Sequence, residues 1–140
     1  MKLNSHNEWD KLKEVIVGSA KNSCAVMTWR NPKEILTENL IKEATSLSKK
    51  AMPQIIIDET EEDLNDLVNI LSTFGAKVFR PKIHNLEKFY SSPHWHTTGN
   101  NSYNARDLNL VVGDYLIESP SQHASRYYET TTYYDIFYDN

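Results

Sequence analysis

The hydrophobic pattern opens on a short apolar run, Glu14–Gly18, in which Val15, Ile16 and Val17 are β-branched and Gly18 closes the run. Such a continuous run predicts a strand covered on both faces. Ser19–Asn31 reads as loop. Pro32 suits a first helical position and Glu34 suits the first turn, and the stripe Ile35, Leu36, Leu40, Ile41, Ala44 and Leu47 predicts a helix from about Lys33 to Lys50. Next, Thr60 with Asp63 three residues on resembles a capping box, and Leu64, Leu67, Val68 and Leu71 recur at helical spacing. Gly75 stands where a left-handed helix terminator is wanted, Lys77–Arg80 reads as a strand, and Pro81 closes it.

From Lys82 to Asn101 the pattern dissolves into a loop long enough to suggest function. Two apolar runs follow, Leu108–Val112 and Tyr115–Ile117, joined by Gly113-Asp114, which predicts a hairpin. Asp107 precedes the first run and Glu118 follows the second, so both carboxylates stand at strand ends, where a ligand can meet them. Pro120 stops the sheet. A final helix is predicted from about His123 to Tyr138. Its aromatics, Tyr127, Tyr128, Tyr133, Tyr134, Phe137 and Tyr138, give it a wide apolar surface suited to a partner or a second copy.

Composition changes this picture little. The 140 residues fit one domain, 1–140, with a modest core. A net charge of -4 with interspersed signs argues against a nucleic-acid partner. No apolar run reaches the roughly 20 residues of a membrane span, and Met1-Lys2-Leu3-Asn4 leads into no signal-peptide core. One cysteine, Cys24, excludes an internal disulfide framework, and a cytoplasmic location is expected. His84, His94 and His96 invite a metal reading. Yet no Cys is near them and no Asp or Glu falls between Phe89 and Arg106, so cleft or surface histidines are expected, with no metal and no cofactor.

Several segments together resemble a known family. Ala105-Arg106-Asp107, an apolar strand, Gly113, Ile117-Glu118-Ser119-Pro120 and Arg126-Tyr127-Tyr128-Glu129 resemble the N-terminal part of the glycine amidinotransferases. Asn7-Glu8-Trp9-Asp10 before Glu14–Gly18 resembles the family's opening strand, and Glu61–Pro81 its first long helix and following strand. The resemblance spans nearly the whole chain but about the first third of a family member. It implies an α/β fold, a partial pentein-type fan of about one and a half ββαβ modules, with short mixed sheets and helices outside.

It also implies transfer of an amidino group from arginine to an amine. In the family the acid at the position of Asp107 helps hold the guanidino substrate, which suits a carboxylate's two parallel hydrogen bonds. Read from residues alone, Asp107 could equally pair with Arg106 or cap the strand. Arg126 is the second candidate, with donors suited to a substrate carboxylate, against pairing with Glu129 three residues on. The family's further Arg two residues earlier is Ala124 here. Glu118 and Glu129 also match family positions, where hydrogen bonding and structure are the expected roles. The family's nucleophilic Cys, its His and the associated Asp lie beyond the segment resembled, so no catalytic residue is carried over, and Cys24 reads as an incidental thiol. The chain alone is therefore expected not to catalyse. Expected partners are arginine or another guanidino compound, and either a second copy or the remainder of a split or longer chain. The alternative is a non-catalytic interaction or guanidino-compound binding module that oligomerises through its aromatic C-terminal helix.

Overall fold

The computed structural model describes residues 3–25, 38–39, 50–83, 85, 90–93, 96–97, 99, 101–119, 121 and 123–138. Strand β1 (Glu14–Ile16), helix α1 (Gln54–Thr73) and strand β4 (Lys77–Phe79) form one unit. β1 and β4 pair in parallel with Val15 opposite Val78, and Val17 N–H donates to the Phe79 carbonyl at 3.0 Å. A parallel pair needs a crossover, which α1 provides. Glu14, Val15 and Ile16 are only half-buried, so the strand is less covered than its apolar run predicts. Between β1 and α1, β2 (Cys24–Ala25) pairs antiparallel with β3 (Lys50–Ala51). The predicted helix from Lys33 to Lys50 falls almost wholly outside the described residues. Glu38 and Asn39 are helical, and Lys50 belongs to β3.

Helix α1 starts seven residues earlier than a cap at Thr60 predicts. Pro53, at φ −51° and ψ 134°, stands immediately before it, and Gln54 bonds Asp58 across the first turn at 2.7 Å. Thr60 lies inside the helix, where its hydroxyl donates to the Ile56 carbonyl at 2.7 Å. The buried face is Ile57, Glu61 and Leu64, continued by half-buried Val68 and Leu71, while Leu67 is exposed. Gly75 terminates the helix at φ +84°, as its position predicts.

The region Lys82–Asn101 is not wholly structureless, since β5 (Tyr90–Ser91) pairs antiparallel with β6 (His96–Thr97). His84 and His94 lie outside the described residues. Further on, helical turn α2 (Ala105–Leu108) leads into the hairpin of β7 (Asn109–Val112) and β8 (Tyr115–Glu118). Leu108 therefore ends a helical turn instead of starting the strand. Gly113 makes the turn at φ +59°. The register sets Leu110 opposite Ile117 and Val112 opposite Tyr115, on one face. All four are at least 47% exposed, so an apolar sheet face stands open.

The C-terminal segment corrects the prediction of one helix. Residues 124–138 form two 3₁₀ turns, Ala124–Arg126 and Glu129–Thr132, then a short helix α3 (Tyr134–Tyr138). The Thr131 and Thr132 hydroxyls each donate to the carbonyl three residues back, Tyr128 and Glu129, at 2.7 Å. These local bonds and the β-branched run favour the tighter turn. Nor is this segment a bare apolar surface. Tyr133 is fully buried and Ile136 is buried, while Tyr127 and Tyr138 are exposed.

Candidate functional site

Two segments distant in sequence meet at the corner that carries Asp107. α2 turns Leu108 inward, at 2% exposure, and leaves Arg106 and Asp107 exposed. The base of the hairpin is closed by Ser119 N–H donating to the Leu108 carbonyl at 2.9 Å. Upstream, Ser102 is held from both sides. Its carbonyl accepts the Tyr133 hydroxyl at 2.8 Å and the Ser19 N–H at 3.0 Å. Gly18 passes so close to this point that a β-carbon on it would lie 1.8 Å from the Tyr103 carbonyl oxygen. The absence of a side chain there is a packing requirement.

Arg106 pairs with Glu8 at 2.9 Å, with both side chains more than four-fifths exposed. The bond is worth little, and it takes Arg106 away from Asp107. The partner of Asp107 is Arg126, whose Nη1 donates to Oδ2 at 2.8 Å. Arg126 also meets Glu129, with Nε to Oε2 at 2.7 Å and Nη2 to Oε1 at 3.2 Å, and Nη2 reaches the Asn104 carbonyl at 3.5 Å. The two candidates are thus brought together, and every nitrogen of Arg126 has a partner inside the chain. Glu118, opposite Asn109 at the end of the hairpin, is exposed and stands apart from this trio's hydrogen bonds.

Burial pushes the Glu129 carboxyl up from its ordinary range, and the Arg126 guanidinium pulls it only part of the way back. For Arg126, burial works against the charge, but the bonds to Glu129 and Asp107 outweigh it and hold the proton more tightly than usual. Tyr133 is pushed up by burial first, then by the Glu129 charge, and so remains a neutral donor. A second buried carboxylate fixes the loop after β1. Glu61 accepts from Ser19 Oγ at 2.8 Å, Ala20 N–H at 2.6 Å and Arg80 Nη2 at 2.9 Å. Burial opposes its charge, yet these donors prevail and hold its carboxyl below the usual range. An open groove of about 520 Å³ runs beside it between Lys21, Ile57 and Ile83, away from Asp107, Arg126 and Glu129.

Cys24 is buried and its thiol donates to the Gly99 carbonyl at 3.1 Å. Burial raises its pKa, which is the reverse of what a thiolate nucleophile needs. Among the described residues no three metal-binding side chains cluster; His84 and His94, expected as cleft or surface histidines, lie outside those residues. No helix among the described residues is long and apolar enough to cross a membrane. Sequence reasoning marked Asp107 and Arg126 but left Glu129 and Glu61 without a site role. The three-residue spacing of Arg126 and Glu129 was the available signal for the first. Nothing local signals that Glu61 reaches Ser19.

A parallel strand pair bridged by a helix, followed by a hairpin with a polar corner, makes this an α/β chain with the partial fan of ββαβ modules that the resemblance implies. No family model matches it. Over 130 residues it is 36% identical to L-arginine:L-lysine amidinotransferase of Pseudomonas savastanoi pv. phaseolicola, a match covering 92% of this chain and 36% of that protein. It is 34% identical over 131 residues to inosamine-phosphate amidinotransferase 1 of Streptomyces griseus, covering 94% and 38% respectively. A solved amidinotransferase of saxitoxin biosynthesis from Microseira wollei superposes with a TM-score of 0.84 at 32% identity, over 98% of this chain and 40% of that one. By sequence and by fold the chain is similar to the amidinotransferases along nearly all of its length. It spans roughly two-fifths or less of the length of these relatives.

Proposed function

We propose that this chain carries the guanidino-binding part of an amidinotransferase, with Asp107 holding the guanidinium of arginine or a related compound. The observation that carries this is the Asp107 carboxylate itself. It is 53% exposed, with one oxygen fixed by Arg126 and the other without a hydrogen bond among the described residues. A fixed, half-exposed carboxylate suits the planar donors of a guanidinium. The resemblance at Ala105-Arg106-Asp107 and the amidinotransferase relatives support the same reading. Arg126 enters it as the residue that orients Asp107. Direct contact with a substrate carboxylate would require it to give up one of its present partners. Amidino transfer also needs a thiolate to attack the guanidinium carbon, and Cys24 is not placed to supply it. On this reading the chain contributes binding and does not perform the transfer alone.

Thermal unfolding with arginine tests the proposal. Arginine at about 100 times its Kd would stabilise the fold by roughly 2.7 kcal/mol. Citrulline, which lacks the charge, would not, and Asp107→Asn would abolish the response. An arginine shift that survives in Asp107→Asn, or no shift in the native chain, would refute a binding role for Asp107 in this chain.

The open hairpin face favours a second reading, in which the chain is an interaction module that associates with another polypeptide. Leu110, Val112, Tyr115 and Ile117 offer a contiguous apolar surface of the kind that marks an interface. On this reading association would run through the hairpin, since Tyr133 and Ile136 of the aromatic C-terminal segment are buried in the chain's own core.

A further inference from the structure

We infer that Glu129 is a positioning residue for Asp107, acting through Arg126, and that the trio presents one net negative charge to a planar cation at its exposed end. The inference rests on the guanidino-binding reading of Asp107 and adds the residue that sets its geometry. Exposure rises outward along the trio, from 1% for the Glu129 side chain to 15% for Arg126 and 53% for Asp107. Glu129 therefore cannot reach a ligand, while Asp107 can.

The contacts are directional. Glu129 takes Nε and Nη2 of Arg126 with its two oxygens, at 2.7 and 3.2 Å. A guanidinium held along one edge by a bidentate carboxylate has its plane fixed, so the two N–H groups of the remaining Nη1 have set directions in that plane. One of them ends on Asp107 Oδ2 at 2.8 Å. Two carboxylates around one guanidinium leave one negative charge uncompensated. Because Glu129 is buried and bidentate, the excess lies on Asp107, the member open to solvent. Burying Glu129 as a charge is costly, and an apolar side chain of similar size would serve packing alone as well. The charge is explained if it aims Arg126.

The test measures the χ1 couplings of Asp107 by NMR and arginine affinity by calorimetry, in the native chain, Glu129→Gln, Arg126→Lys, Asp107→Asn and the Glu129→Gln/Asp107→Asn double variant. We expect one Asp107 rotamer in the native chain and rotamer averaging in both Glu129→Gln and Arg126→Lys, because a lysine holds one carboxylate where the fork holds two. Arginine should bind about tenfold more weakly to Glu129→Gln, and the Glu129 change should add nothing once Asp107 is Asn. A general structural loss would not show that non-additivity. If Glu129→Gln fails to fold, Arg126→Lys gives the same rotamer reading. A single native rotamer for Asp107 in the folded variants overturns the inference. Averaging in the variants with no arginine binding to the native chain upholds the positioning role and retires the guanidino-binding reading.

Discussion

Glu61→Gln probes how the loop before the site is held, because Glu61 is the only side chain described as bonding both Ser19 and Ala20 while also pairing with Arg80. Glutamine keeps the volume and one acceptor oxygen but removes the charge. The lost ion pair lies between two limits. Breaking a fully buried pair costs about 3–5 kcal/mol, and an exposed pair is worth about 0–1. Glu61 and Arg80 are 11% and 28% exposed, so water screens them in part. Arg80 keeps its bond to Asn65 at 3.0 Å, but its buried Nε has no partner among the described residues, which leaves it little compensation. A loss of about 2 kcal/mol at pH 7 follows from this intermediate burial. The folded carboxyl lies below its unfolded value of about 4.3, so its contribution is complete above that pH and is lost as pH falls through the folded value. Urea unfolding of both proteins between pH 7 and pH 3.5 would show the gap narrowing with acid. A gap below about 0.5 kcal/mol at pH 7, or one that acid does not change, would refute this account of the network.

The other expectations are simpler. Gly18→Ala drives a methyl into the Tyr103 carbonyl, a backbone atom that cannot swing aside, and should cost at least about 3 kcal/mol or prevent folding; wild-type stability in urea would refute the packing. Tyr133→Phe removes the hydroxyl that bonds the Ser102 carbonyl and should cost about 1–1.5 kcal/mol in the same assay, with little change in the far-ultraviolet circular dichroism. Ile117→Lys on the open hairpin face should change monomer stability by under about 0.5 kcal/mol while lowering any self-association seen by light scattering; a large stability loss would mean that the face is already covered.

The sequence by itself determined the elements whose cause is local. The 3.6-residue apolar spacing and Gly75 specified α1 and its end, and Gly113-Asp114 between apolar runs specified the hairpin. Each depends on residues within one or two turns of each other. The start of α1 and the break-up of the C-terminal helix were less legible, because Pro53 and the threonine hydroxyls compete with propensity through single local bonds. The likeness to amidinotransferases was likewise visible in linear motifs.

Only the tertiary structure decided which charges are paired and which are open. Arg106 adjoins Asp107 in sequence yet pairs with Glu8, whereas Asp107 pairs with Arg126 nineteen residues away. Glu61 looks like any polar position on a helix until Ser19 and Ala20, some forty residues earlier, fold against it. The need for glycine at position 18 appears only when Tyr103 closes on it. Coulombic and hydrogen-bond energies depend on distance and burial, and neither is encoded by spacing along the chain once the partners lie in different elements.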